Sequence, residues 1–120
     1  MFLRIGPCTP EPKDARALAM WFSYGDLVRV VERSVLAKTT GHAGCAVIWC
    51  ASKNKRLTWW RKDARDIIGW APQDSADPYT DQLADKTDPD PVVELYQGGE
   101  TCGQHYSRTS PAPASMFDDV

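Results

Sequence analysis

No stretch of this sequence approaches the roughly 18 consecutive apolar residues of a membrane-spanning helix. The continuous apolar run Cys45 to Ala51 is far shorter. Met1 to Ile5 is too brief for a signal-peptide core, and no basic segment precedes it. A cytoplasmic protein is therefore expected. Cysteine is scarce and lacks paired close spacing, which suits a compartment that keeps thiols reduced. Histidine occurs only at His42 and His105. Cys102-x-x-His105 and Cys45-x4-Cys50 are spacings that zinc can use. However, Cys45 and Cys50 lie an odd number of residues apart on an expected strand and would project to opposite faces. No metal site is expected. No internal repeat is present.

The formal charge of −2 selects no partner, yet it is divided along the chain. Residues 1–70 hold twelve Lys/Arg against six Asp/Glu, and residues 71–120 hold two against ten. The halves can attract each other, or the acidic one can be a solvated tail. A length of 120 residues suits one domain or part of one.

Leu3 to Ile5 reads as a short strand, and Gly6, Pro7, Pro10 and Pro12 then stop regular structure. A strand end that opens into a rigid loop is where α/β proteins place ligand contacts. Ser23 is a good helix N-cap with Asp26 in the first turn, which predicts a helix over about 24–37. Leu27, Val28, Val31 and Val35 make one apolar face, expected to pack on a sheet, with Arg29, Glu32 and Arg33 opposite. Cys45 to Ala51 reads as a strand buried on both faces, as in a parallel sheet, and Ser52 to Arg56 as a polar loop. Thr58 is placed to cap a helix through Ile68, with Gly69 just beyond its end. Ser75 to Ala84 is a further short helix with Pro78 in its first turn. Val92 to Tyr96 is expected to be a short edge strand or extended segment, ended by Gly98-Gly99. Residues 109–120 read as a disordered tail after a folded segment 1–108. Two strands alone do not make a stable sheet. The remaining strands are expected elsewhere, in further sequence or in a partner.

Arg4-Ile5-Gly6, Cys8-Thr9-Pro10-Glu11-Pro12 and Trp21-Phe22-Ser23 resemble a strand, loop and helix start of NAD-dependent uronate dehydrogenases, members of the extended short-chain dehydrogenase and epimerase/dehydratase group. The similarity continues through Val47-Ile48-Trp49, Ala51-Ser52, Trp59-Trp60, Gly69-Trp70-Ala71-Pro72-Gln73-Asp74 and Gln97-Gly98-Gly99, so it covers most of residues 2–100. The resemblance implies an α/β chain: the C-terminal, substrate-side part of a Rossmann-like fold, lacking its N-terminal dinucleotide-binding half. It also implies that the parent reaction oxidises the C1 hydroxyl of a hexuronic acid, glucuronate or galacturonate, to an aldarolactone with NAD+.

The same resemblance assigns Arg16 to the substrate carboxylate, a role that suits the planar guanidinium fork. It places the main chain at Cys8 against the nicotinamide end of NAD. Pro7 stands at a substrate-contacting position where the family usually has Ser, and proline has neither that hydroxyl nor an N–H. The family's glycine-rich pyrophosphate turn and its Tyr-x-x-x-Lys proton-transfer pair have no counterpart, so no catalytic residue is assigned and the chain alone is expected to be inactive. An upstream chain or a homo-oligomer is the implied partner. Two alternatives remain. One is a fragment of another NAD-dependent sugar epimerase or dehydratase. The other is a non-enzymatic remnant binding through segment 53–65, where Lys53, Lys55, Arg56, Arg61, Lys62 and Arg65 surround Trp59 and Trp60. Nucleic acid is the weaker expectation, because core packing already explains the tryptophan pair.

Overall fold

The computed structural model describes residues 1–38, 45–60 and 64–105, with the backbone alone for 103–105. Strand β1 (Phe2–Ile5) pairs in parallel with β2 (Val47–Cys50), setting Leu3 opposite Ile48 and Ile5 opposite Cys50. Between them lie the short helix α1 (Ala17–Met20) and the longer α2 (Tyr24–Leu36). After β2 come α3 (Arg65–Ile68), a 3₁₀ turn (Asp77–Tyr79), α4 (Thr80–Leu83), α5 (Pro91–Leu95) and α6 (Glu100–His105). This is an α/β partial domain with one small parallel sheet, as expected. The expected tail at 109–120 falls outside the described residues.

Apolar side chains cover both faces of the sheet. On one side Leu3, Ile48 and Cys50 pack with Phe22, Val30, Ile68 and Trp70. Phe22 meets Trp70 edge-on, with ring centroids 6.1 Å apart. On the other, Trp49 stacks on Trp60 at 5.1 Å, and the Arg4 guanidinium lies over the Trp49 ring at 4.1 Å. Burial pushes the Cys50 thiol up to about 12, so it behaves as a small apolar group.

Gly6 ends β1 and lets the chain turn under α1. Its N–H donates to the Cys50 carbonyl at 2.8 Å. A Cβ there would sit 2.1 Å from the Met20 carbonyl oxygen, a contact only glycine avoids. At the far end of α3, Gly69 adopts φ +68 and its N–H caps Arg65, as its position predicts.

Three expectations are corrected. Val92 to Tyr96 is not an edge strand: Asp90 caps Val92 N–H at 3.0 Å and Pro91 occupies the first turn, so α5 forms instead. Thr58 does not start a helix. Trp60 is buried against Trp49, the bond from Trp59 Nε1–H to the Leu95 carbonyl turns that ring toward α5, and the next helix among the described residues is α3, from Arg65. Ser52 to Arg56 is a loop as expected, with Ser52 and Asn54 buried within it.

The third concerns α2. Val28, Val31 and Val35 do not pack on the sheet; they are 67%, 44% and 79% exposed. Buried Asp26 and Val30, with Leu27 half-buried, face inward instead. The carboxylate of Asp26 can be desolvated only where hydrogen-bond donors surround it, and that demand sets the rotation of the helix.

Gly6→Ala is expected to destabilise the fold by about 2 kcal/mol or more, because backbone rather than a flexible side chain must move. An unchanged urea midpoint would refute that close approach.

Candidate functional site

The loop after β1 is anchored rather than free. Phe22 N–H donates to the Pro7 carbonyl at 3.0 Å, and Trp21 Nε1–H to the Thr9 carbonyl at 2.9 Å. Pro7 is exposed at the loop's start, while Cys8 is half-buried against the core. Burial pushes the Cys8 thiol above its ordinary value, which keeps it protonated and favours contact over nucleophilic attack.

Asp14 starts the next turn by accepting from Ala17 N–H at 2.6 Å. Arg16 follows, carried at the N-terminus of α1. Its Nη2 donates to the main-chain carbonyls of Tyr96 and Gln97, and its guanidinium lies 5.6 Å from the Trp59 ring centroid. Gly99, at φ +56, closes the other side. A Cβ there would come within 2.8 Å of Arg16 Cζ. Neutral carbonyls and an indole face orient the cation without neutralising it. The Nε–H of Arg16 is buried and has no hydrogen-bond partner among the described residues. An unmet buried donor on a full cation is a site that an anion would stabilise.

A cavity of about 210 Å³ also touches Arg16, lined by Asp14, Lys86, Asp88 and Glu94 among others. Three carboxylates against two cations make it a poor seat for an acid, so an anion-binding role for Arg16 rests on its unmet Nε–H.

Beneath this region lies a polar hub that sequence reasoning missed. Asp26 is fully buried and accepts from Ser52 Oγ at 2.7 Å, Arg29 Nη1 at 2.7 Å, Gln73 N–H at 2.9 Å and Asp74 N–H at 3.1 Å. Ser23 Oγ accepts from Asp26 N–H and donates to Asp74. Asn54 ties Ala19 and Trp21, through their carbonyls, to Ala76 N–H. Asp26 is thus more than the capping or surface group its position suggests. A weak signal existed in the polar pair Ser52 and Asn54 directly after a buried strand. The Ser23 hydroxyl, and then Arg29, hold the Asp74 carboxyl below its usual range against the opposing effect of burial.

The basic segment fares differently. Trp60 is buried and Trp59 is engaged with Leu95 and Arg16, so the rings are taken up internally. Arg61 and Lys62 lie outside the described residues, as does His42. Among the described residues no three His, Cys, Asp or Glu side chains group as metal ligands, and no helix is long and apolar enough to cross a membrane.

No family model matches the sequence. The chain is 37% identical over 100 residues to the uronate dehydrogenase of Agrobacterium fabrum, which matches 81% of this chain and 36% of that protein. It is 34% identical over 101 residues to the Pseudomonas putida uronate dehydrogenase, with 81% and 35% covered. Among solved structures, the glucuronic acid dehydrogenase of Chromohalobacter salexigens superposes with TM-score 0.70 at 38% identity, over 84% of this chain and 38% of that one. A mutant Agrobacterium tumefaciens uronate dehydrogenase complexed with NAD gives 0.66 at 38% identity, over 81% and 36%. The chain is a homologue of uronate dehydrogenases, and its fold is part of their Rossmann-like fold. It spans about a third of the length of the curated relatives it matches.

A depressed carboxylate pKa stabilises the fold above the unfolded value of about 4, and this contribution is lost as pH falls through the lower folded value. Asp74→Asn is therefore expected to flatten the acid side of the stability profile. Urea midpoints measured between pH 6 and pH 3 that fall equally in both proteins would exclude this.

Proposed function

We propose that this chain is the C-terminal, substrate-side portion of a cytoplasmic NAD-dependent uronate dehydrogenase. It serves oxidation of the C1 hydroxyl of a hexuronic acid to an aldarolactone. The observation that carries this reading is the oriented Arg16 guanidinium with its unmet buried Nε–H, set just after the β1 loop in a chain homologous to uronate dehydrogenases.

Arg16 binds the sugar carboxylate. Tyr96, Gln97, Gly99 and Trp59 limit its rotamers before substrate arrives, which lowers the ordering cost of binding. A fixed carboxylate in turn sets the position of the sugar ring and hence of its C1 hydroxyl. NAD+, when bound, accepts the hydride from that carbon. The main chain at Cys8 forms one wall beside the nicotinamide. The fit is one of contact only: the loop is anchored by hydrogen bonds from Trp21 and Phe22, burial pushes its thiol above the ordinary value, and the chain has no glycine-rich turn for pyrophosphate. Pro7 leaves the sugar acid without the contact that a serine hydroxyl supplies in the family. The proton acceptor for the C1 hydroxyl comes from sequence outside this chain, so the chain alone does not turn over substrate.

The reading is tested by fusing this chain to the part of the Agrobacterium fabrum enzyme that it does not match, and following NADH with glucuronate. Turnover is expected. Arg16→Ala should lower kcat/KM about 100-fold, the loss of a buried charged contact of about 3 kcal/mol, while Arg16→Lys recovers part of it. An active fusion indifferent to Arg16→Ala would refute the assignment. So would NAD-linked turnover by the unfused chain.

A further inference from the structure

The cavity of about 210 Å³ beside Arg16 is a poor seat for an acid, but its walls are built. Ala15 N–H donates to the Lys86 carbonyl at 3.0 Å, which ties segment 86–89 to the turn that carries Arg16. Glu94 Oε1 accepts from Asp88 N–H at 2.7 Å, and Asp88 Oδ1 from Asp90 N–H at 2.8 Å, which hold the same segment against α5. With Asp14, bonded to Ala17 N–H, each of the three carboxylates commits one oxygen to the backbone. Among the described residues the second oxygen of each meets no protein donor, and Lys86 Nζ meets no acceptor.

A second, wider cavity of about 480 Å³ shares Asp88, Pro89 and Glu94 with the first and adds Pro91 and Leu95. Leu95 is 55% exposed there. The two run together along segment 86–95, so the lining passes from charged beside Arg16 to aliphatic farther out. Spare acceptors at the edge of an aliphatic floor suit a sugar ring, which offers hydroxyl donors around its rim and C–H groups on its faces. The first cavity is smaller than the roughly 300–1,000 Å³ that drug-sized ligands fill, a scale that fits one ring. Charge selects which sugar. With Arg16 given to the substrate carboxylate, Lys86 alone faces Asp14, Asp88 and Glu94. A ring carrying its own carboxylate would add a fourth like charge, and such juxtapositions are strongly unfavourable.

We infer that this groove is an extension subsite for a neutral sugar residue joined to the C4 oxygen of the hexuronic acid. The inference rests on the uronate dehydrogenase reading. The carboxylate held by Arg16 is borne on C5, and C4 is the neighbouring carbinol carbon, so a group on O4 enters the cavity that Arg16 lines. C1 lies across the ring from C4 and stays free to lose its hydride. The reaction is unchanged: the C1 hydroxyl is oxidised, and the glycosidic bond neither forms nor breaks. Asp88 and Glu94 accept from hydroxyls of the added ring, bonds strengthened by the carboxylate charge, while Pro89 and Leu95 meet its C–H face.

The test gives the fusion enzyme glucuronate, glucuronate carrying xylose on O4, and glucuronate carrying a second glucuronate on O4. The xylosyl compound should be oxidised with a kcat/KM at least equal to that of glucuronate and at least about tenfold above that of the diuronide. Asp88→Asn combined with Glu94→Gln keeps an oxygen for each backbone bond and removes two charges, and it should lower that ratio about tenfold. Glucuronate turnover without turnover of the xylosyl compound overturns the inference and leaves the dehydrogenase reading standing. So does a ratio near unity, or one that the double variant does not change. The full 120-residue chain is also titrated with methyl xyloside, followed by NMR, which requires no turnover. The amides of Thr87, Asp88 and Glu94 should shift. Shifts beside an inactive fusion leave the subsite standing and remove the dehydrogenase reading. Amides that do not move overturn the inference whatever the fusion does.

Discussion

The buried carboxylate of Asp26 governs the arrangement of the described chain. It has no solvent, so every lone pair must meet a donor, and the donors come from Ser52, Arg29 and the backbone of Gln73 and Asp74. These lie after β2, on α2 itself, and in the segment after α3. One group thus ties the helix start to the strand end and to a third segment more than forty residues away. Removing it would strand several donors at once, which costs far more than one ordinary hydrogen bond.

That constraint propagates to the surface. With Asp26 turned inward, Val30 follows it into the core and the valines at 28, 31 and 35 turn outward. The helix is amphipathic in two directions, one apolar side used within the chain and one left open. The same network holds the 19–23 segment through Asn54 and Ser52, and α1 with Arg16 at its start is carried on that segment. Arg16 is then met from the far side by the 95–99 backbone. A residue separated from Gln97 by eighty-one positions is oriented by two carbonyls and a glycine rather than by a partner of opposite charge.

Much of this was legible in the residues. Ser23 with Asp26 marks the start of α2, Gly69 the end of α3, and the apolar run at 45–51 contains β2, because capping and strand burial are local in sequence. The helix at Pro91 was misread although Asp90-Pro91 is a good helix start; the β-branched pair Val92-Val93 outweighed the cap. Trp59 and Trp60 look helical by pattern, yet stacking on Trp49 and a bond to Leu95 decide their backbone. At the site, Arg16 stands out only by family resemblance. Its holders, Trp59, Tyr96, Gln97 and Gly99, could not be assigned from spacing, since each meets it through main chain or ring face.

By itself, then, the sequence determined where α2 starts and α3 stops, that β2 lies in a buried run suited to a parallel sheet, and which dehydrogenase family it resembles. These depend on caps, turn residues and local apolar runs. Tertiary structure alone decided which side of α2 faces inward, that Ser52 and Asn54 are buried, and how Arg16 is oriented. Those outcomes depend on satisfying buried polar groups with donors distant in the chain, a requirement that no local pattern encodes.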